Sequence, residues 1–374
     1  MDRDRRGVTC PAPSFPHQGP AADASTGPIL TGDTVEGRQV IGFTCTAPAA
    51  PAPADDQLVL TGDEHAGRPP RRSTDPADQP SLVRTGRRPD QQISPDRTHR
   101  PDDLVPGLAD RLRALLHGPR VPHFTLALIE RLAASGHHTW VSGGAPRDLL
   151  SGAAPHEVND LDLTGTAPAG AFTETTRQVL DSEGTGAEHP QRFSPDTLVC
   201  TVLDPVDRTG GPSLDYRGLG LDGTTFPATG TDLLQDSRQR DLTVNTLLYD
   251  PLENLVLDPL GQALDDLADP RGRRRLVPAN TSADPLVCAE VLLRGLKFRL
   301  RWGTRDLDDE PLRAWALALP PDLLRPLGED AWQRLAGLWN QCVPDPMAPA
   351  LGETVHRLGP VAVELRARCD RVTP

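Results

Sequence analysis

Two aspartates separated by one residue are the side chains of this sequence best suited to metal-dependent chemistry. Asp160 and Asp162 flank Leu161 in a short apolar segment that is predicted to be extended. Residues i and i+2 of a strand point to the same face, so the two carboxylates would lie side by side. Hard divalent cations such as Mg²⁺ bind carboxylate oxygens and keep positions open for substrate phosphates. Two such ions can clamp the attacking and leaving oxygens of a phosphoryl displacement.

A glycine turn precedes this pair. Gly143 and Gly144 follow an apolar strand around Trp140, and a helix is predicted to start there, with Arg147 and Asp148 in its first turns. Free backbone N–H groups and the positive end of a helix dipole suit a triphosphate. The turn and the aspartate pair together predict a site for nucleotidyl transfer.

Asp215 is a candidate third carboxylate. It lies in the second strand of a predicted hairpin formed by residues 197–203 and 213–221. If that strand neighbours the Asp160 strand, Asp215 joins the metal site. A solvated strand acid is equally compatible with the sequence.

A second polar segment follows at the predicted start of a helix. Its polar residues are Arg240, Asp241 and Asn245, and Asp241 and Asn245, four apart, would share a face. A capping aspartate beside a solvated arginine is the alternative interpretation of this segment alone.

The positioning elements predict an α+β fold. Amphipathic helices are expected at 104–116 and 124–134, ahead of the strands, and at 307–319, 327–340 and 351–369 after them. We expect a mixed sheet with flanking helices over residues 104–262 and an all-helical part over 263–374.

The first hundred residues have a different composition, rich in Pro, Ala, Gly, Asp, Arg and Thr, without lasting periodicity. We predict a disordered tail over residues 1–103. Within it, ILTGDTVEGR from Ile29 recurs as VLTGDEHAGR from Val59. Two short copies are too few for a solenoid, so a duplicated linker or a partner-binding motif is expected.

The composition predicts a soluble protein in a reducing compartment. The six cysteines include no C-x-x-C pair, and no segment approaches the roughly 18 apolar residues of a membrane span. A cytoplasmic protein without membrane contact is expected. The net charge of −13 argues against a uniformly basic nucleic-acid coat.

The motifs, taken in order, resemble those of bacterial-type tRNA nucleotidyltransferases (CCA-adding enzymes) and the related bacterial poly(A) polymerases. The resemblance covers about residues 125–300 and rests on four elements: Gly143-Gly144-x-x-Arg147-Asp148, Asp160-x-Asp162, Arg240-Asp241-x-x-x-Asn245 and Asp258-Pro259-x-Gly261. It implies a polymerase beta-like nucleotidyltransferase head, followed by a helical neck and a shortened body.

The resemblance also implies roles for these residues. Gly143, Gly144 and Arg147, with Asp148, would hold the triphosphate of ATP or CTP, and Asp160 and Asp162 would bind two Mg²⁺ ions. Arg240, Asp241 and Asn245 would contact the ribose. The implied reaction transfers a nucleotide to an RNA 3′-hydroxyl, as on the 3′ end of tRNA, with release of pyrophosphate.

One part of the family pattern is missing. In the family, an Asp and an Arg three residues apart select the incoming base on the helix that follows. Counting back from Phe298 places them at Cys288 and Val291, whereas counting from Asp284 places the Arg at Val287. Either alignment removes the base-reading Arg, so the choice between CCA addition and poly(A) addition stays open.

A local basic patch suits an RNA partner despite the acidic total. Residues 271–305 contain nine basic residues against two acidic ones. Such a patch could bind phosphate backbones, although an Arg-rich solvated helix face is the alternative. The candidate RNA-binding residues are Arg273, Arg274, Arg275, Arg294 and Lys297.

The family's long helical tail is not present within this sequence. RNA binding is therefore expected to be shortened, or to involve a helper subunit or a homodimer. A small-molecule or protein acceptor, and a catalytically silent nucleotide- or RNA-binding relative, are the alternative functions.

Overall fold

The computed structural model describes residues 41–42, 92–158, 160–182, 191–194, 199–203, 213–220, 229–268, 272–303, 305, 307–343 and 351–372. The two LTGD copies and Arg271 lie outside the described residues. No helix in the described ranges is long and apolar enough to cross a membrane.

Among the described residues, nine strands form a mixed sheet at the centre of the fold, in the order β1-β5-β6-β7-β4-β3-β8-β9-β2. Strands β4 and β7 are parallel, and the other neighbours in the sheet are antiparallel. The strands are β1 (Ile41–Gly42), β2 (Thr98–His99), β3 (Thr139–Ser142), β4 (Leu161–Gly165), β5 (Gln191–Ser194), β6 (Val199–Leu203), β7 (Ser213–Gly218), β8 (Leu248–Asp250) and β9 (Leu255–Leu257).

In the described part of the chain, seven α-helices accompany this sheet. Their apolar faces bury residues such as Leu112, Leu128 and Phe172, as expected for helices packed on one side of a sheet. They are α1 (Pro101–Leu104), α2 (Leu108–Leu116), α3 (Thr125–Ala134), α4 (Gly144–Leu150), α5 (Ala169–Ser182), α6 (Leu233–Arg238) and α7 (Ala263–Leu267).

The C-terminal part is mainly helical, and α8 packs against α10 and α12. The expectation that it is all-helical is wrong in one detail, because a short parallel strand pair joins its start to the segment after α8. Its elements are β10 (Arg274–Arg275), α8 (Pro285–Trp302), β11 (Leu307–Asp308), α9 (Glu310–Leu317), α10 (Glu329–Cys342), α11 (Gly352–Arg357) and α12 (Pro360–Val372).

One hydrophobic cluster extends across both parts, from Leu108 in α2 through Leu292 in α8 to Cys369 in α12. The sheet part and the C-terminal helices therefore share a core. The predicted division between residues 262 and 263 remains a prediction.

The predicted α+β class is confirmed, but the predicted end of the tail at residue 103 is too late. Ile93 is buried, β2 pairs with β9, and the Arg97 carbonyl accepts a hydrogen bond from the Asp258 N–H. Sequence periodicity missed these residues because a two-residue strand has no measurable period.

Two predicted helices are each divided by a glycine with positive φ. Gly107, at φ 74°, separates α1 from α2, and Gly359, at φ 95°, separates α11 from α12. Glycine adopts this conformation without the steric cost that a Cβ imposes. The apolar period continues across both breaks, which explains why the sequence predicted single helices.

Candidate active site

Two acidic side chains lie side by side where β4 meets β7. Asp162 is the direct partner of Asp215 in the parallel register. Adjacent strands are about 4.8 Å apart and paired residues point to the same face. The sequence analysis placed Asp215 at the metal site only if its strand neighbours the one beside Asp160. The structure shows this neighbourhood, since β7 pairs with β4.

Polar side chains flank Asp162 and Asp215 on the neighbouring strands. Asp162 and Asp215, with Asp160 just before β4, are called the acidic row. Ser142 in β3 pairs with Asp162, and Thr201 in β6 pairs with Asp215. The Thr201 hydroxyl donates a 2.6 Å hydrogen bond to Oδ1 of Asp215. This bond orients the Asp215 carboxylate within the row.

The electrostatics of Asp162 show that the acids interact. Burial raises the pKa of Asp162 to about 6, and the charges of Asp215 and Asp160 add to the shift, while Arg240 and Arg294 oppose it. Asp160 itself is exposed, just before β4. The nearby arginines thus do not fully offset the cost of ionising Asp162 in its buried position.

This donor set fits a hard divalent cation. Carboxylate oxygens are the ligands that Mg²⁺ prefers. A cation would offset both the burial and the charges of Asp215 and Asp160 that raise the pKa of Asp162. Within the described ranges, no three acidic, histidine or cysteine side chains converge at ligating geometry. Substrate phosphates would complete the coordination, as is usual for Mg²⁺ in nucleotide sites.

The glycine turn lies directly against this acidic row. Gly143 adopts φ 66° and ψ −115°, a conformation that strongly favours glycine, and a Cβ there would lie 3.5 Å from Oδ2 of Asp162. Helix α4 begins at Gly144 and is seven residues long. The turn is therefore positioned where its backbone N–H groups could bind a triphosphate beside metal ions held by the carboxylates.

Arg147 lies inside the site. Its Nε donates a 2.8 Å hydrogen bond to Asp148, and Nη1 donates to the side-chain oxygen of Asn245. Its guanidinium lies 4.6 Å from the centre of the Phe298 ring. A Cβ on Gly144 would lie 3.5 Å from Nη2, so this nitrogen is at the glycine turn.

The second polar segment differs from the prediction in its local structure. Arg240 and Asp241 lie in the turn after α6, and Asn245 ends a single 3₁₀ turn, Thr243–Asn245. The i, i+4 proximity is nevertheless correct, because Asn245 Nδ2 donates a 2.7 Å hydrogen bond to Asp241. The site therefore unites Asp241, Asn245 and Arg147.

Arg240 is not the solvated arginine of the alternative interpretation. It forms an ion pair of 2.8 Å with Asp236, whose side chain is fully buried. Burial alone would raise the pKa of Asp236, but Arg240 and Arg217 outweigh it and lower the pKa. The guanidinium of Arg240 is thereby held close enough to Asp162 to act on its pKa.

One of the two alignments places the family's base-reading pair in the hydrophobic core. Cys288 and Val291 are buried in the core, and the Cys288 thiol donates to the Ser282 carbonyl. Asp284 is the N-cap of α8 and accepts hydrogen bonds from the N–H groups of Leu286 and Val287. In the second alignment, counted from Asp284, Val287 occupies the Arg position and is partly buried.

The predicted RNA-binding residues fall into two groups. Arg273 and Arg275 form ion pairs with Asp308, Arg275 also pairs with Asp266, and Arg274 lies over the Trp302 ring. These three lie at or beside β10.

The other two predicted residues, Arg294 and Lys297, are on α8, close to the nucleotide segments. Arg294 lies 3.4 Å from Asp241, and burial together with Arg294 lowers the pKa of Lys297.

Sequence reasoning missed Asp236 and Thr201, and it included Arg301 only in the basic patch of residues 271–305. Asp236 precedes Arg240 by four residues, a spacing that could have indicated the pair. Arg301 follows Arg294 by seven residues on α8, which also indicates a shared face. Its partner Asp148, at 2.9 Å, is 153 residues away in the chain, so no local pattern predicts the contact.

Comparisons of sequence show similarity to CCA-adding proteins. The chain is 28% identical over 233 residues to the multifunctional CCA protein of Stenotrophomonas maltophilia, covering 61% of this chain and 52% of that protein. It is 27% identical over 200 residues to the CCA-adding enzyme of Streptococcus gordonii, covering 52% and 44%. The chain thus spans about half the length of the curated relatives it matches. No family model matches it.

The solved structures to which the chain is similar include those of CCA-adding enzymes. That of Bacillus stearothermophilus in complex with CTP has a TM-score of 0.45 and 18% identity, over 66% of this chain and 56% of that one. That of Thermotoga maritima, complexed with tRNA-CCA, has a TM-score of 0.40 and 17% identity, over 73% and 54%. The sequence comparisons confirm the resemblance to bacterial-type CCA-adding enzymes that the motifs indicated.

Proposed function

We propose that this chain is a Mg²⁺-dependent RNA 3′-terminal nucleotidyltransferase. It transfers the nucleoside monophosphate of ATP or CTP to an RNA 3′-hydroxyl, with tRNA-like acceptors, and releases pyrophosphate. The observation that carries the proposal is the register of Asp162 with Asp215, directly against the Gly143 turn. The similarity to CCA-adding proteins supports the same reaction.

The chemistry requires a bond from the acceptor 3′-oxygen to the α-phosphorus while the bond to pyrophosphate breaks and the hydroxyl proton leaves. Bound Mg²⁺, held by Asp160 and Asp162 with the charge of Asp215 beside them, would neutralise the triphosphate and favour loss of that proton. The protein contributes orientation and charge, and no covalent enzyme intermediate is needed.

Each remaining group has a role in binding the nucleotide. The N–H groups at Gly143 and Gly144 and the Arg147 guanidinium face the triphosphate. Asp241 and Asn245, joined by a 2.7 Å hydrogen bond, would contact the ribose. Arg240, held by buried Asp236, keeps a positive charge near the acidic row.

The RNA contact is proposed to use Arg273, Arg274, Arg275, Arg294 and Lys297. Several of these already have acidic partners in the chain, such as Asp266 and Asp308 for Arg275. We therefore include a helper subunit or a homodimer partner in the proposal. Sedimentation of the protein with and without a tRNA acceptor measures whether a second copy joins the complex.

A different acceptor is the second candidate function. It is favoured by the residues at the expected Arg position, which are Val291, buried in the core, or Val287. A nucleotidyltransferase acting on a small molecule or a protein would need the same metal site but no RNA-binding surface. A catalytically silent relative is disfavoured by the presence of Asp160, Asp162 and Arg147 together.

The discriminating experiment incubates the protein with Mg²⁺, each labelled nucleoside triphosphate separately, and tRNA lacking its 3′ end. Incorporation into RNA is expected, and open-ended products with ATP alone would indicate poly(A)-like activity. Absence of incorporation with any RNA and any nucleotide would overturn the RNA proposal. Label appearing only on small molecules or proteins would support the second candidate.

A further inference from the structure

Asp148 links two arginines from distant parts of the chain. Its Oδ1 accepts a 2.8 Å hydrogen bond from Arg147, and its Oδ2 accepts a 2.9 Å hydrogen bond from Arg301 in α8. The Asp148 side chain is 11% exposed, so the carboxylate is largely removed from water. Charge-assisted hydrogen bonds of this kind are stronger than neutral ones.

Helix α8 makes a second contact with the same arginine. The Phe298 ring lies under the Arg147 guanidinium at 4.6 Å, and Phe298 precedes Arg301 by three residues, so the two side chains share a helix face. Phe298 in turn packs against Trp302, with ring centres 4.5 Å apart. The guanidinium of Arg147 is thus held from below by a ring and at its edge by Asp148.

A third contact connects α8 with the second nucleotide segment. Arg294 lies 3.4 Å from Asp241, which accepts a hydrogen bond from Asn245, and Asn245 accepts one from Arg147. Arg294 and Arg301 are seven residues apart, which is about two helical turns on one face. A continuous chain of polar contacts therefore runs from Arg294 through Asp241, Asn245, Arg147 and Asp148 to Arg301.

We propose that Arg301 is a positioning residue for nucleotide binding, acting through Asp148 to hold Arg147 at the glycine turn. The proposal rests on the nucleotidyl-transfer function proposed above and adds α8 to its nucleotide site. Arg301 itself touches no reacting group. It limits the orientations of Asp148, and Asp148 fixes the plane of the Arg147 guanidinium.

A purely structural link would behave differently. Loss of such a link lowers the free energy of unfolding without changing how the folded protein binds nucleotide. Loss of a positioning contact weakens nucleotide binding in protein that is still folded, because Arg147 gains alternative orientations.

The test compares Arg301→Met with Arg301→Lys and with a matched control, Arg357→Met. Arg357 in α11 pairs with Asp309, and their exposures, 43% and 14%, are close to the 42% and 11% of Arg301 and Asp148. Two readouts are needed: KM and kcat for ATP and CTP with an RNA acceptor, and the Kd of Mg-ATP by calorimetry without RNA.

Arg301→Met is expected to raise KM and Kd for the nucleotide about tenfold, with kcat changed less than KM, as for loss of a partner in a charge-assisted pair. Arg301→Lys should recover part of the affinity, because the ammonium retains the charge but not the guanidinium geometry. Arg357→Met should leave both constants unchanged. In an Asp148→Asn background, Arg301→Met should have little further effect.

The possible failures are distinct. If the wild-type protein incorporates nucleotide and Arg301→Met leaves its KM and Kd unchanged, the positioning role is wrong and the proposed function stands. If the wild-type protein binds Mg-ATP but incorporates nothing, the proposed function is wrong, and the Kd values still test Arg301. A wild-type protein that does neither contradicts both.

Discussion

Asp162 and Asp215 are direct partners across the parallel strands β4 and β7, although 53 residues separate them in the chain. This pairing, with Thr201 bonded to Asp215 and Gly143 against Asp162, places the acidic row beside the predicted triphosphate turn. The repulsion within the row has a measurable consequence in the absence of metal.

Stability in EDTA should depend on pH through Asp162. Its folded pKa of about 6 is above the ordinary value of 3.8, so the folded state binds more protons between these pH values. The buried, ionised Asp162 therefore lowers the free energy of unfolding above pH 6, and this destabilisation is lost as the pH falls towards 4. Relative to Asp162→Asn, the wild-type protein should be less stable at pH 7.5 by up to about 3 kcal/mol, and nearly equal at pH 4.

Urea unfolding of both proteins across this range measures the difference. Asp110→Asn, at a carboxylate that is 82% exposed on α2, serves as the control and should show no such trend. A difference between wild type and Asp162→Asn that stays constant with pH would contradict the account.

Gly143→Ala should damage nucleotide binding through backbone strain. At φ 66° and ψ −115°, a Cβ is expected to cost about 1 to 3 kcal/mol of stability or to shift the turn. KM for the nucleotide should then rise. Gly107→Ala, at φ 74° and ψ 11° with open space around the Cβ, is the control. It should lose about 1 to 2 kcal/mol and keep its KM, and equal KM values in both variants would count against the turn as the triphosphate site.

Asp284→Ala tests whether Asp284 reads the base. The side chain caps α8, so its loss should cost about 1 kcal/mol of stability and leave the ratio of ATP to CTP incorporation unchanged. Asp232→Ala removes an equivalent cap from α6, where Asp232 accepts from two backbone N–H groups in the same way. A changed nucleotide ratio in Asp284→Ala alone would restore a base-reading role.

Arg273→Met and Arg274→Met should weaken RNA binding and reduce its salt dependence. Each lost phosphate contact should lower the slope of log K against log salt by roughly 0.7 to 0.9. Titration of a fluorescent tRNA between low and moderate salt gives the slope. Arg313→Met in α9, which loses an exposed pair with Glu310, is the control. An unchanged slope in both test variants would remove β10 from the RNA contact.

The candidate site residues are easier to identify from the sequence than the side chains that contact them in the structure. Asp160, Asp162, Arg147, Asp241 and Asn245 were recognisable because each motif is short and local. Asp215 could be assigned to the site only on the assumption that its strand neighbours the Asp160 strand, because strand adjacency depends on the topology of the sheet.

The role of α8 was not predictable, because Arg301 and Phe298 reach Asp148 and Arg147 across about 150 residues. Such contacts depend on how the elements pack together. The short strand β2 and the glycine breaks in the helices were missed for the opposite reason, because they are too small to change the apolar period.

Transfer of label from α-labelled ATP or CTP to tRNA lacking its 3′ end, by wild type and Asp162→Asn side by side, tests the central claim most directly. Wild type is expected to label the RNA in the presence of Mg²⁺, and Asp162→Asn, folded and melting at or above the wild-type temperature, should lose at least about a thousandfold in rate. Wild-type rates in the folded Asp162→Asn protein would contradict the assignment of the acidic row as the catalytic centre.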